Sequence, residues 1–293
     1  MKQFIDKLPI TILLAARNEE ANLHKCLSAL GPAERVILLD SHSEDATAEI
    51  AASFNAEIVQ FDYSCGYPKK RQWGLNELAI TTDWVFLLDA DEVVPAQLWQ
   101  EISKAISRPD APDAFLMMKG FHFMGRRFRF GGFSHSAVLL FRTGKAYFEE
   151  LDSSIATDLD MEVHERVIVD GKVGAISTPL VHEDFKGLTA YIDRHNHYSS
   201  WEAGVRYGNL HKGRHGKKTI SPNLFGNAQE RRRFLKYLAI RMPFEPTLWF
   251  LYHYAFKLGF LEGRRGLIAS QIRASYISQA RGKLFELEVV RGR

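Results

Sequence analysis

The run Trp84-Val85-Phe86-Leu87-Leu88 leads straight into Asp89-Ala90-Asp91-Glu92, and this junction restricts the fold more tightly than any other stretch. Apolar and aromatic residues in unbroken succession read as a strand buried on both faces, as in the parallel sheets of α/β proteins. The core ends where the carboxylates begin. In an extended chain side chains alternate faces, so Asp89 and Asp91 leave on the same side, about two rises of 3.3 Å apart. One divalent cation can bridge that spacing. Mg²⁺ and Mn²⁺ take oxygen ligands and share them between one or two carboxylates and substrate phosphates, which makes a nucleotide diphosphate the natural partner. A solvated acidic turn capping the strand is the alternative that this stretch alone leaves open.

The preceding chain repeats the pattern. Ile10 to Ala16 reads as a buried strand, followed by Arg17-Asn18-Glu19-Glu20 and a helical spacing of Leu23, Leu27 and Leu30. Val36 to Leu39 is a second strand ending at Asp40, with Ser41-His42-Ser43-Glu44-Asp45-Ala46-Thr47 behind it and a helix after that. Ala56 to Phe61 is a third strand, and a helix from about Pro68 to Leu78 leads back to the strand of Asp89. Strands alternating with helices predict a parallel sheet with right-handed crossovers. Ligands of such sheets bind beyond the carboxyl ends of the strands, where Asn18, Asp40, Asp89 and Asp91 converge.

Composition narrows the class. With 293 residues the chain can bury a substantial core, and 46% apolar with 25% charged residues excludes a disordered or fibrous chain. Cys26 and Cys65 are too few for a disulfide framework or a cysteine zinc site, so a reducing compartment and no thiol chemistry are expected. Met1 to Pro9 carries charges and no long apolar region, so a secretory signal is not expected and a cytoplasmic protein is. The net charge of +3 is ordinary, but Arg231, Arg232, Arg233, Lys236, Arg241, Lys257, Arg264, Arg265, Arg273, Arg281 and Lys283 crowd the C-terminal quarter among aromatics. That part can face an anionic surface.

Ala15-Ala16-Arg17-Asn18-Glu19-Glu20, Asp40 to Thr47, the helix start Lys69-Lys70-Arg71-Gln72-Trp73-Gly74 and Asp89-Ala90-Asp91 together resemble glycosyltransferase family 2 over roughly residues 10 to 200. Within it the chain is most similar to the lipopolysaccharide core β-1,4-glucosyltransferase group, which shares the Asp-Ala-Asp-Glu block and a basic, aromatic tail. The resemblance implies a GT-A fold: a Rossmann-like, mostly parallel central sheet with flanking helices. It also implies an inverting, metal-dependent transfer of a hexose from a nucleotide-diphosphate donor, a UDP-sugar, to a lipopolysaccharide-core or lipid-linked glycan. Asp40 and Asn18 or Glu20 would contact uridine and ribose, Lys69 or Arg71 the base or phosphates, and Asp89 the donor or the metal. Positive charge at a helix N-terminus is unfavourable without an anion nearby, and for Lys69 to Arg71 that favours phosphate. Asp45 and Ser43 read equally as caps of the next helix. Where the family often has glycine after Asp-Ser, this chain has His42, which is less free at positive φ.

Inverting transfer needs a base to take the acceptor hydroxyl's proton, and a carboxylate does this work. Asp152, Asp158, Asp160, Glu162 and Glu165 fall in one short region. The resemblance selects Glu165, with His164 orienting it or meeting the donor; a structural pair at a strand edge is the alternative. In many GT-A enzymes a late histidine completes the metal shell, and His182 matches it here, beside Asp91 and Asp89, with Mg²⁺ or Mn²⁺ as the ion. Between these lie strands at 114–118 and 137–142 flanking a basic, aromatic loop or hairpin at 121–132. Leu188, Tyr191, Ile192, His195 and Ser199 share one helical face expected to pack the domain's end.

The expected division is a transferase domain over 1–220 and a helical, amphipathic extension over 221–293. Its most apolar run, Pro246 to Leu261, is shorter than the about 20 residues a spanning helix needs and contains His253 and Lys257. It is expected to lie on the inner face of the cell membrane, with a helical subdomain or dimer interface as the alternative. No nucleic-acid partner is expected. Rival functions are a sugar-nucleotide nucleotidyltransferase, which would normally carry a glycine-rich loop that Ala15 to Glu20 lacks, and a non-catalytic nucleotide-sugar-binding membrane scaffold.

Overall fold

The computed structural model describes residues 7–64, 67–150, 160, 162, 166–184, 186–211, 222–226 and 228–291. The chain forms two compact units: Met1–Arg127 with Ser134–Phe148 and Asp160–Lys186, and Phe128–Phe133 with Glu149–Leu159 and Gly187–Arg293. The division thus falls at 186/187, ahead of the 220/221 expected.

The first unit opens with β1 (Leu8–Ala16), α1 (Glu20–Leu27), β2 (Ala33–Asp40), α2 (Thr47–Ser53), β3 (Glu57–Gln60), α3 (Lys70–Glu77) and β4 (Trp84–Asp89). It continues through β5 (Glu92–Val93), α4 (Ala96–Ile106), β6 (Ala114–Phe123), β7 (Arg126–Arg127), β8 (His135–Arg142), β9 (Ala146–Phe148), β10 (Val167–Val169) and β11 (Val173–His182). The main sheet runs β3-β2-β1-β4-β8-β6-β11-β5, with β7 paired to β6. Neighbours from β3 to β4 are parallel, β8 runs against both β4 and β6, β11 is parallel to β6, and β5 is antiparallel to β11. Only β8 and β5 on that path oppose the common direction, so the sheet is mostly parallel, as expected of a GT-A fold.

Burial on both faces explains the unbroken apolar runs. Ile10, Ile12, Leu13, Leu14, Val85, Phe86 and Leu88 are fully buried, and helices cover them through short stripes. Leu98, Trp99 and Ile102 of α4 make one such stripe, with Trp99 edge-on to Phe86 at 6.1 Å between ring centres. The region 121–132 contains the expected hairpin: β6 and β7 meet at Met124-Gly125, both at positive φ. His182 ends a ten-residue strand, β11.

The second unit is helical: α5 (Gly187–His211), α6 (Ala228–Ala239), α7 (Glu245–Leu251), a π turn at Tyr252–Phe256, a 3-10 turn at Gly259–Glu262 and α8 (Gly263–Arg291). Both α5 and α7 pack on α8. Ser199 is buried as expected, whereas Ile192 is exposed, so the face of α5 is narrower than the sequence spacing implied. Arg206 on α5 is buried between Glu202 at 2.9 Å and Glu245 at 2.8 and 3.1 Å. No helix among the described residues is long and apolar enough to cross a membrane.

Candidate active site

Parallel strands put their carboxyl ends on one edge, and register fixes which residues meet there. Ala16 lies opposite Asp40 and Ala15 opposite Asp89, so the two carboxylates flank the end of β1. Asp40 is almost wholly buried and accepts bonds from the Ser43 N–H at 3.1 Å, the Ser43 hydroxyl at 2.5 Å and Gln60 Nε2 at 3.0 Å. His42 adopts the left-handed backbone a glycine would, at φ 51°, with its Nε2 2.6 Å from Asp62 Oδ1. Histidine therefore takes up the positive φ of this turn, with its ring in contact with Asp62.

The loops after β1 and β2 are fastened together. Asn18, also at positive φ, donates its N–H to Ser43 Oγ at 2.9 Å and accepts the Glu44 N–H on Oδ1 at 2.8 Å. Glu20 accepts the Ala46 N–H at 3.2 Å, and its own N–H reaches Asp45 Oδ2 at 3.1 Å. Asp45 Oδ1 takes both the N–H and hydroxyl of Thr47, the first residue of α2. The side chains of Asn18 and Glu20, expected to meet the nucleotide, here brace the loop that carries Asp40 and His42.

Asp89 ends β4 inside a knot of charge. Arg71 of α3 hydrogen-bonds one carboxylate oxygen, Lys119 Nζ of β6 lies 2.8 Å from the other, and Lys119 also lies 2.6 Å from Glu92. Glu92 closes the turn by accepting the Asp89 N–H at 3.0 Å. Burial opposes ionising Asp89, but the two adjoining cations hold it far below the usual carboxylate range. Burial pushes Glu92 up, against the pull of Lys119. The Lys119 ammonium, which burial alone would neutralise, is kept charged by Asp89 and Glu92.

The start of α3 meets carboxylates of the chain itself. Glu162 accepts the N–H groups of Arg71 at 3.2 Å and Gln72 at 3.0 Å, and Asp160 lies 3.0 Å from Lys70 Nζ. The anion at that helix terminus is the chain's own. Lys69 is buried beside it.

Asp91 sits two residues beyond β4, in the turn to β5. Pairing of β5 with β11 sets His182 opposite Glu92, which brings His182 Nε2 to 3.2 Å from Asp91 Oδ2; the Glu183 N–H meets the Asp91 carbonyl at 3.1 Å. Burial disfavours the imidazolium, yet Asp91 and its hydrogen bond, helped by Glu92, push His182 up to about 9. The segment past it is tied down by Lys186 to Glu19 at 2.7 Å and by Asn22 to Asp184 at 3.2 Å. No group of three or more metal-ligating side chains occurs among the described residues. Asp91 and His182 nevertheless form a carboxylate–imidazole pair that suits Mn²⁺ or Mg²⁺ when substrate phosphates supply the other ligands. Both oxygens of Asp89 are taken by cations.

Glu165 and His164 lie outside the described residues. The site residues the sequence reading missed are Lys119, Gln60 and, in its role at α3, Glu162. A lysine set among the apolar residues of β6 was the one available signal; which carboxylates it would meet depended on strand order.

Residues 11–140 match the profile of "Glycosyl transferase family 2". A lipopolysaccharide core biosynthesis glycosyltransferase, LpsC, of Rhizobium meliloti (strain 1021) is 25% identical over 281 residues, 94% of each chain. An uncharacterized glycosyltransferase of Rickettsia bellii (strain RML369-C) is 31% identical over 94 residues, 32% of this chain and 31% of that one. Glucosyl-3-phosphoglycerate synthase of Mycobacterium tuberculosis, solved with Mn²⁺, UDP and glucosyl-3-phosphoglycerate, aligns over 40% of this chain and 45% of its own at 24% identity and a TM-score of 0.31. That overlay is too loose to bear on chemistry.

Proposed function

We propose that the chain, whose residues 11–140 match the profile of glycosyltransferase family 2, is an inverting hexosyltransferase of that family. Its donor is a nucleotide-diphosphate sugar, a UDP-sugar, and its acceptor a lipopolysaccharide-core or lipid-linked glycan at the inner face of the membrane. The observation that carries the reading is the register that sets Asp40 and Asp89 on either side of β1, with the Asp91–His182 pair next to them. The full-length likeness to a protein named for lipopolysaccharide core biosynthesis supports the acceptor class.

For the described residues, the contacts of each side chain support the role proposed. Asp40 sits at the strand end where a carboxylate can accept the uracil N–H or ribose hydroxyls once Gln60 or Ser43 turns aside. Asp89, fixed by Arg71 and Lys119, holds the turn so that Asp91 projects beyond the core. Mn²⁺ or Mg²⁺, held by Asp91 and His182, would supply positive charge to the departing diphosphate. Lys69, buried at the start of α3, is kept as a candidate donor contact. Glu165, assisted by His164, takes the acceptor proton as the hydroxyl attacks the anomeric carbon.

The test is hydrolysis and transfer from a panel of nucleotide sugars with Mn²⁺. Asp91→Asn is expected to lower turnover by about 10²-fold or more, and undiminished transfer would remove the catalytic role of the pair. Glu165→Gln is expected to cut turnover by about 10²–10⁴-fold with donor binding intact. Retained transfer would assign the base to another acid.

A further inference from the structure

Residues 241–265 of the helical unit hide their negative charge and display their positive charge. Arg241, Lys257, Arg264 and Arg265 are all exposed, while Glu245 and Glu262, the two acids of the stretch, are 2% and 3% exposed. Each acid is turned inward. Glu245 is held by Arg206 and, at 3.2 Å, by Arg281, and Glu262 accepts the N–H groups of Arg129 at 2.6 Å and Phe130 at 2.9 Å.

The same stretch exposes large apolar side chains. Leu248, Leu251, Tyr252 and Phe256 follow at intervals of three and four along α7 and the π turn, which places them on one face. Phe244 and Phe256 are 78% and 76% exposed, and Phe260 extends the patch from the 3-10 turn. One of the cations lies beside these rings: Lys257 Nζ is 5.5 Å from the ring centre of Tyr252. Apolar exposure on this scale marks a binding surface.

Charge decides what covers it. In a twofold contact the patch would meet itself, setting four cations against four with no exposed acid to offset them. An anionic bilayer supplies both missing partners: phosphates for the cations and a headgroup boundary suited to aromatic rings. We propose that residues 241–265 are a docking face for an anionic membrane surface, with Phe244, Leu251, Phe256 and Phe260 at the headgroup level and Arg241, Lys257, Arg264 and Arg265 on the lipid phosphates. The face lies on the bilayer and does not cross it. It belongs wholly to the helical unit and stands independently of the transfer reading.

Sedimentation of the full chain with extruded vesicles tests this. Binding is expected with phosphatidylcholine:phosphatidylglycerol at about 7:3 and at least tenfold weaker binding with phosphatidylcholine alone, because each cation near an anionic surface contributes about fivefold. Arg241→Gln/Arg264→Gln/Arg265→Gln changes exposed residues only and is expected to abolish the preference for anionic vesicles. Phe256→Ser/Phe260→Ser is expected to lower binding to them by about tenfold or more, with an unchanged far-UV circular dichroism spectrum. Equal binding to both vesicle types, no binding to either, or binding untouched by the charge variant would each overturn the proposal. So would a wild-type dimer that Phe256→Ser/Phe260→Ser dissociates, which would give the face to a second copy. Loss of sugar transfer in Asp91→Asn with vesicle binding intact separates the two readings.

Discussion

At the scale of single residues, Lys119 shows how a buried charge can serve a site without entering it. Its ammonium, on β6, bridges Asp89 and Glu92 at 2.8 and 2.6 Å, and both carboxylates belong to the turn that presents Asp91. Replacing it by methionine keeps the volume and leaves Glu92 facing Asp89 with one cation fewer. Breaking a buried pair by removing one partner costs about 3–5 kcal/mol, so Lys119→Met is expected to lower the unfolding free energy by that order in urea titrations. Adding Glu92→Gln should recover part of the loss, since Arg71 still pairs with Asp89. A Lys119→Met midpoint equal to that of the wild type would show that the bridge does not hold the turn. None of this coupling is visible in the one-dimensional chain, where Asp89 and Lys119 stand 30 residues apart. The carboxylates themselves were legible, because an acid directly after a buried run has few structural explanations.

At the scale of elements, the link between α4 and β11 explains how His182 reaches Asp91. The β11–β6 ladder slips between Ile176 and Leu180, and the N–H groups of Ser177 and Thr178 are received by Glu101 of α4, each at 2.8 Å. Burial opposes ionisation of Glu101, but the hydrogen bonds from Ser177 and Thr178 together pull it down to about 2. A carboxylate lowered on folding adds stability that is present above its unfolded pKa near 4.5 and lost as the pH falls through about 2. Glu101→Gln is therefore expected to be less stable than wild type by about 1–2 kcal/mol at pH 7, with the difference shrinking below pH 4.5. A difference that stays constant down to pH 2 would assign the effect to packing alone. Apolar runs and their acidic ends were readable for β1, β2 and β4. The slip in β11 was not, since it is set by pairing with β6 and by an acceptor on another helix.

At the scale of the molecule, both units bury carboxylates with their cations, and the second also turns cations and aromatics outward. The helical unit also contains a histidine sensitive to acid. His195 donates from Nδ1 to the Tyr191 carbonyl at 2.8 Å, yet burial, with Arg194 and Arg273 adding to it, brings its pKa down to about 4. A histidine depressed on folding contributes stability that is complete above its unfolded pKa near 6.5 and lost as the pH falls to about 4. Unfolding of the wild type is expected to ease over that interval by up to about 1.4 kcal/mol per pH unit, and His195→Gln should flatten the slope. Parallel slopes in the two proteins would exclude His195 as its source.

By itself the sequence determined the alternating strands and helices, the parallel half of the sheet and the edge at which Asp40, Asp89 and Asp91 gather. These depend on local periodicity and on the rule that successive parallel strands end on one side. Only the tertiary structure decided what those side chains touch: that Asp89 is held by Arg71 and Lys119, that the anion at α3 is Glu162, that Asn18 and Glu20 brace a loop, and that Glu245 and Glu262 turn inward while their neighbouring cations do not. The reason is physical. Periodicity specifies which face a residue takes, whereas the partner of a buried charge is set by strand order and register between segments far apart in the chain.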